Sequence, residues 1–198
     1  MNATRPPAPF ASLRSALVLF LLLSVLTGFL YPLIVTGLAQ LLFPVQAAGS
    51  VVSHNGQAVG SRLIGQHFSD PGHFWSRPSA TTPQPYNGVA SGGSNFGPLN
   101  PSLTDAVKAR VAALHAADPD NTAPVPIDLV TASGSGLDPD ISVAAAEYQA
   151  ARVARARGLD VAQVQALIAT HSKGSVGAVL GEPRVNVLEL NLTVDALK

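Results

Sequence analysis

Leu17 to Leu42 reads LVLFLLLSVLTGFLYPLIVTGLAQLL, and from Ser15 to Ser61 the chain has no Asp, Glu, Lys or Arg. As a helix with a rise of about 1.5 Å per residue, the run reaches about 39 Å, more than the ~30 Å hydrocarbon core of a bilayer, so it can span with some tilt. Arg5 and Arg14 precede it and no basic residue comes after it until Arg62. The positive-inside rule then leaves the N-terminus in the cytoplasm and everything from about Ala47 onward outside. The expected layout is a leader over 1–15, a membrane helix over 16–43 and one extracytoplasmic domain over 44–198. A competing reading is a secretory signal peptide cut between Ala47 and Ala48, after Val45-Gln46-Ala47; against it, the apolar run is longer than the roughly 7 to 15 residues of an h-region.

The helix carries a pattern beyond apolarity. Pro32 lacks an N–H and crowds the carbonyl of Gly28, which predicts a kink. Ser24, Gly28, Pro32 and Thr36 recur at spacings of four, a stripe that lets another membrane helix approach closely; Gly and Pro are also common in membrane helices for other reasons.

Beyond the helix, about 150 residues remain, enough for one domain. The chain has no cysteine, which excludes disulfides, thiolate metal sites and Cys nucleophiles. Of 12 Lys and Arg, Arg5 and Arg14 precede the run, which leaves ten against 12 Asp and Glu. Such near neutrality argues against a nucleic-acid footprint or a polybasic lipid-binding patch.

Along the outer part, Asn55-Gly56 between Ser50–His54 and Gln57–Val59 predicts a β-hairpin with a type I′ turn. Ser69 to Pro101 is rich in Gly, Pro, Ser and Asn, yet Phe74, Trp75, Tyr86 and Phe96 are spread through it, which predicts an ordered loop. His67 and His73 have no third ligand at metal spacing, and His54 reads as a solvated strand residue. A helix from Ser102 to about His115 is expected, with Ser102 and Asp105 as a capping box. Val125–Thr131 reads as a short strand. Ser142 caps a helix over Val143–Arg157 that ends at Gly158, and Asp160 with Gln163 caps another that turns Val161, Val164, Leu167 and Ile168 inward. Arg184–Thr193 reads as a strand whose apolar parity changes near Val187-Leu188, which calls for a bulge or two covered faces. The fold class is therefore α+β: a single N-terminal transmembrane helix, then a domain with a small sheet and about three helices.

No catalytic or metal constellation emerges. Gly134-x-Gly136 lacks the third glycine of the dinucleotide fingerprint, and no Lys comes after it as in a Walker A loop. Ser135 has no G-x-S-x-G context.

Taken in order, the residues resemble the C subunit of the bacterial Kdp potassium-transporting P-type ATPase, the KdpC family. The motifs include Tyr31-Pro32, Phe43-Pro44, Gly60–Gln66, Arg77-Pro78-Ser79, Tyr86-Asn87, Ser91–Asn95, Val130–Pro139, Gln149, Arg152-Val153-Ala154 and Arg184–Leu188. Asp140 departs from the His or Asn that the family often has after Asp-Pro. The resemblance implies a non-catalytic inner-membrane subunit, with its outer domain on the periplasmic side. Its implied partners are the channel-like Kdp subunit that selects potassium, the P-type ATPase subunit and a third, small Kdp subunit, besides membrane lipid and no nucleic acid. The complex would transport potassium, and ATP would be bound by the P-type ATPase subunit. The resemblance also implies a catalytic chaperone role that raises the ATP affinity of that ATPase, with Gln149 and Ser133, Gly134, Ser135 and Gly136 as the nucleotide-linked positions. The alternative from another class is a membrane-tethered hydrolase or ligand-binding domain using the Ser133–Asp138 loop.

Overall fold

The computed structural model describes residues 9–174 and 181–197, with side chains from 12 onward. Arg5 and the start of the leader lie outside the described residues. The chain divides between Ser50 and Val51 into two compact units.

The first unit is helical. α1 (Pro9–Val25) passes through a π turn at Leu26–Leu30 into α2 (Tyr31–Leu42), which leads to a short α3 (Pro44–Ala47). Ser12–Leu42 is long and apolar enough to cross a membrane, with a mean hydropathy of 2.5. The disturbance expected around Pro32 takes the form of the π turn, in which the Tyr31 N–H donates to the Leu26 carbonyl five residues back. A π turn next to proline re-pairs carbonyls that the missing N–H would strand.

The second unit begins with the antiparallel hairpin β1 (Val51–His54) and β2 (Gln57–Ser61). Asn55 and Gly56 both have positive φ, as the I′ turn requires. No regular element then occurs until α4 (Pro101–Ala117), but the intervening segment is ordered by the contacts described below. α4 starts one residue before the expected capping box: Asn100 is the N-cap, its Oδ1 accepts from Ser102 N at 2.9 Å, and Pro101 takes the first helical position. Asn-Pro wins because Asn is a strong N-cap and Pro presets the first helical φ.

Val125–Thr131 is not a strand. A 3₁₀ turn covers Ile127–Leu129, and its polar groups are paired from elsewhere: Asp128 Oδ2 accepts from Ser142 N at 2.7 Å and Arg110 Nη1 donates to Val130 O at 2.7 Å. The sheet instead contains β3 (Asp140–Ser142), unforeseen because it is only three residues long. Its neighbours are β5 (Arg184–Asn186) in the centre and β4 (Ser172–Lys173) on the far side, both pairings antiparallel.

α5 (Val143–Arg157) and α6 (Val161–His171) have the expected caps: Ser142 accepts from Ala145 N, Gly158 closes α5 at φ 66°, and Asp160 with Gln163 forms a full capping box. Val164 and Ile168 are fully buried, while Val161, in the first turn of α6, is 39 % exposed, against expectation. The last element also differs: β5 stops at Asn186 and α7 (Val187–Asp195) begins there. The parity change at Val187-Leu188 is a strand-to-helix junction, with the Asn186 side chain accepting from Glu189 N at 3.1 Å. Val187, Leu190, Asn191 and Val194 are buried at helical spacing and close the core with Ala145, Ala146, Ala150 and Val153 of α5. The alanines let neighbouring backbone pack closely onto α5 while burying no polar group.

Candidate functional site

The residues around Phe74 and Trp75 lie outside any helix or strand, so their backbone polar groups need other partners. Two buried amides supply them. Asn191 Oδ1 accepts from Phe74 N at 2.8 Å and its Nδ2 donates to Phe74 O at 3.0 Å. Gln149 repeats the arrangement one residue on: Oε1 accepts from Trp75 N at 2.8 Å and Nε2 donates to Trp75 O at 3.2 Å. Gln149 Nε2 also donates to Ala145 O at 3.1 Å, and Oε1 accepts from Arg152 Nη2 at 2.7 Å. Two donors and two acceptor lone pairs are thereby used, in a side chain that is 1 % exposed.

Arg152 extends the clamp. It donates to the carbonyls of Pro71 and His73 and lies 4.7 Å over the Trp75 ring. Burial pulls its pKa down to about 10, which leaves it charged at neutral pH. Arg157 donates from Nε to Gly72 O at 2.7 Å and from Nη2 to Asp195, whose carboxylate also meets His73 Nε2 at 3.2 Å. Burial raises the Asp195 pKa, but the hydrogen bonds from Arg157 and His73 outweigh it and hold the carboxyl below its ordinary value. A carboxyl depressed in the folded state contributes stability that is full above its unfolded pKa of about 3.9 and is lost as pH falls through the folded value. Asp195→Asn is therefore expected to flatten the acid limb of a stability-against-pH curve below about pH 4, read by denaturant unfolding at several pH values; an unchanged limb would refute this contribution.

Ser133, Gly134, Ser135 and Gly136 form a turn against the same long segment, further along it. Ser133 N donates to Pro78 O at 3.3 Å, Ser79 Oγ donates to Gly136 O at 2.7 Å, and Gly92 N donates to Ser135 O at 2.8 Å. Ser79 Oγ also accepts from Tyr86 N at 2.9 Å, which ties the two ends of the 79–86 loop. Next to the turn, Arg77 pairs with Asp138 at 3.0 Å. The Tyr86 hydroxyl donates to Arg77 O, and burial pushes its pKa up to about 12, so it stays protonated. Gly136 has φ 69°, and a Cβ there would lie 2.7 Å from Gly92 O.

Gln149 and the Ser133–Gly136 turn therefore hold different parts of one segment, Gln149 at Trp75 and the turn within 78–92. No hydrogen bond joins them directly among the described residues. Ser135 Oγ accepts from Leu137 N at 3.1 Å. His73 is engaged with Asp195, and His171 with Leu167 O and Thr193. Among the described residues no cluster of three metal-ligating side chains occurs. Asp140, the departure from the family pattern, bonds Arg184 Nε at 2.8 Å and Asn186 Nδ2 at 3.1 Å, a sheet-edge role. Sequence reasoning did not foresee the amide clamp of Asn191 or the Arg77–Asp138 pair; a polar Asn inside the apolar α7 pattern is the signal that was there to read.

In the first unit, Ser24 is half-buried, and Gly28, Pro32 and Thr36 are exposed along the helix. In a regular α-helix, residues four apart drift by ~40°, or ~120° from Ser24 to Thr36. The π turn takes in one extra residue and returns ~100° of that, so the four positions come close to one line.

The family model described as "KdpC: K+-transporting ATPase, c chain" matches residues 13–196. The chain belongs to the KdpC family. A Variovorax paradoxus protein named "Potassium-transporting ATPase KdpC subunit" is 69% identical over 184 residues, which cover 93% of this chain and 95% of that one. A protein of the same name from Polaromonas naphthalenivorans is 66% identical, with 94% and 95% covered, and one from Methylibium petroleiphilum is 64% identical, with 92% and 96% covered. The KdpC match takes in both units, so the apolar helix and the clamped domain belong to one family pattern.

Proposed function

We propose that this KdpC chain is the non-catalytic accessory subunit of an ATP-driven potassium import complex, anchored by Ser12–Leu42 with its N-terminus in the cytoplasm and its domain on the periplasmic side of the inner membrane. Its partners are the channel-like subunit, the P-type ATPase subunit, which holds the catalytic site and ATP, and the small third subunit. The observation that carries this reading is the KdpC match over residues 13–196, coupled to a single apolar helix at one end of that range. A C-terminal tag after Lys198 tests it: co-purification of a channel-like protein and a P-type ATPase, with the tag cut by protease from outside spheroplasts, is the expected result. Recovery of the chain alone, or a tag shielded from outside protease, would overturn it.

The aligned stripe of Ser24, Gly28, Pro32 and Thr36 is the face offered to the channel-like subunit. A Cβ added at Gly28 meets nothing of this chain within 4 Å, so a larger residue there leaves its own packing intact. Gly28→Leu is expected to reduce co-purification of the channel-like partner at least about fivefold while the outer domain keeps its unfolding midpoint; undiminished recovery would remove the stripe from the interface.

Any effect of this chain on ATP affinity is allosteric. Gln149 has no hydrogen-bonding capacity left for a base, and the Ser133–Gly136 turn commits Ser133 N, Ser135 O and Gly136 O to the 78–92 segment. A periplasmic domain also lies ~30 Å of hydrocarbon away from cytoplasmic nucleotide. The chain acts by favouring one state of the complex over another. Labelling of Gln149 by a photoreactive ATP analogue supplied only to the cytoplasmic side of sealed vesicles would refute this.

A further inference from the structure

A cleft of about 280 Å³ opens between α4 and the 67–86 segment. Its walls include Phe68, Trp75, Tyr86, Leu114 and Leu129, and its charged lining is Arg77 and Arg110, with no Asp or Glu. Ligand clefts commonly run from about 300 to 1,000 Å³, so this one has room for a single-ring molecule rather than a chain segment.

The two guanidinium groups differ. Arg77 is answered by Asp138 at 3.0 Å. Arg110 makes one hydrogen bond among the described residues, from Nη1 to Val130 O at 2.7 Å, and has no carboxylate within ion-pair distance there. Burial lowers its pKa, the mark of a cation that has given up water without gaining an anion. The bond to Val130 O uses one N–H of the planar group, and a guanidinium fork matches a carboxylate in two parallel hydrogen bonds. Aromatic walls on the 67–86 side favour a planar or branched apolar body beside that head.

We propose that this cleft is a binding site for a small monocarboxylate with an aromatic or branched apolar body, its carboxylate on Arg110 and its ring against Trp75 and Leu114. Such a ligand bridges α4 to the segment held by Gln149 and Asn191, and so tightens the helix that the core holds least: Leu114 is its one buried residue.

The chain's single tryptophan is Trp75 itself, so emission from the full-length protein in detergent reports occupancy directly. Phenylacetate is the probe, with phenethylamine and 2-phenylethanol as its cationic and neutral analogues. The expected result is a saturable change in Trp75 emission with phenylacetate, at least about tenfold tighter than with either analogue, lost in Arg110→Met. Ala113→Leu, at an exposed position on the cleft wall, adds bulk there while keeping the Arg110 guanidinium and is expected to weaken binding even if Arg110→Met fails to fold. An unsaturable response, equal binding of the amine, or unchanged binding by Ala113→Leu would each overturn the proposal.

Discussion

Gln149→Leu is expected to lower the unfolding free energy of the domain that begins at Val51 by about 4 kcal/mol, because leucine leaves the part-buried Trp75 N–H and C=O unpaired, at roughly 1–3 kcal/mol each, and removes an acceptor from Arg152. Against a total of about 5–15 kcal/mol for a domain, this is enough to unfold a large fraction of molecules near physiological temperature. Denaturant titration followed by Trp75 emission measures it in the full-length chain, since the tryptophan sits on the clamped backbone itself. A loss below about 1 kcal/mol would mean that the clamp is not a major support of the fold. The same variant separates two accounts of nucleotide coupling. If Gln149 acts through the fold, the assembled pump keeps its dependence on ATP at temperatures where the variant domain stays folded. If Gln149 touches nucleotide, the dependence changes at every temperature.

Gly136→Ala should cost about 2–4 kcal/mol, whereas Gly134→Ala, two residues away in the same turn, should be nearly neutral. At Gly136 the backbone is left-handed, with φ 69°, and a Cβ would meet Thr81 Cγ2 at 2.6 Å and Gly92 O at 2.7 Å. At Gly134 it would meet nothing within 4 Å. Relief at Gly136 requires the 79–92 loop to withdraw, which breaks the Ser79–Gly136 bond and exposes the surroundings of Tyr86. Thermal unfolding of the two single variants side by side tests the pair. Equal losses would show that the turn needs its glycines for something other than this packing, such as close approach of a ligand to Gly134.

Both predictions depend on a segment without regular structure, and that segment divides what could be read in advance from what could not. The aromatic residues of Ser69–Pro101 already implied an ordered loop, since such residues are depleted in disordered chain. Phe74 is indeed fully buried. What the rings do not encode is how the backbone between them is satisfied. Gln149 and Asn191 lie 74 and 117 residues from the groups they bond, a separation that no local pattern carries.

Most local interactions were legible where one or two residues decide the outcome, the α4 cap at Asn100 being the exception. The Asn55-Gly56 turn, the Ser142 cap, the Gly158 terminus and the Asp160–Gln163 box are all set by contacts within a few positions. The apolar run likewise settles by itself that one helix is long and oily enough to cross a bilayer. Tertiary structure overrode the local signal at Val125–Thr131 and Val187–Asp195. The first has strand-like residues but pairs with no strand, and its polar groups go to Ser142 and Arg110 instead. The second contains both an alternating and a helical apolar pattern, and the helical one wins because it turns Val187, Leu190 and Val194 onto the core together, while an alternating strand would divide them between two faces. Sequence alone thus determined the long apolar helix, the caps of α5 and α6 and the Asn55-Gly56 turn, where the physics is short-ranged. Only the folded core decided which apolar pattern was used and which buried amides hold the long segment, because burial and hydrogen-bond completion are properties of the assembled domain.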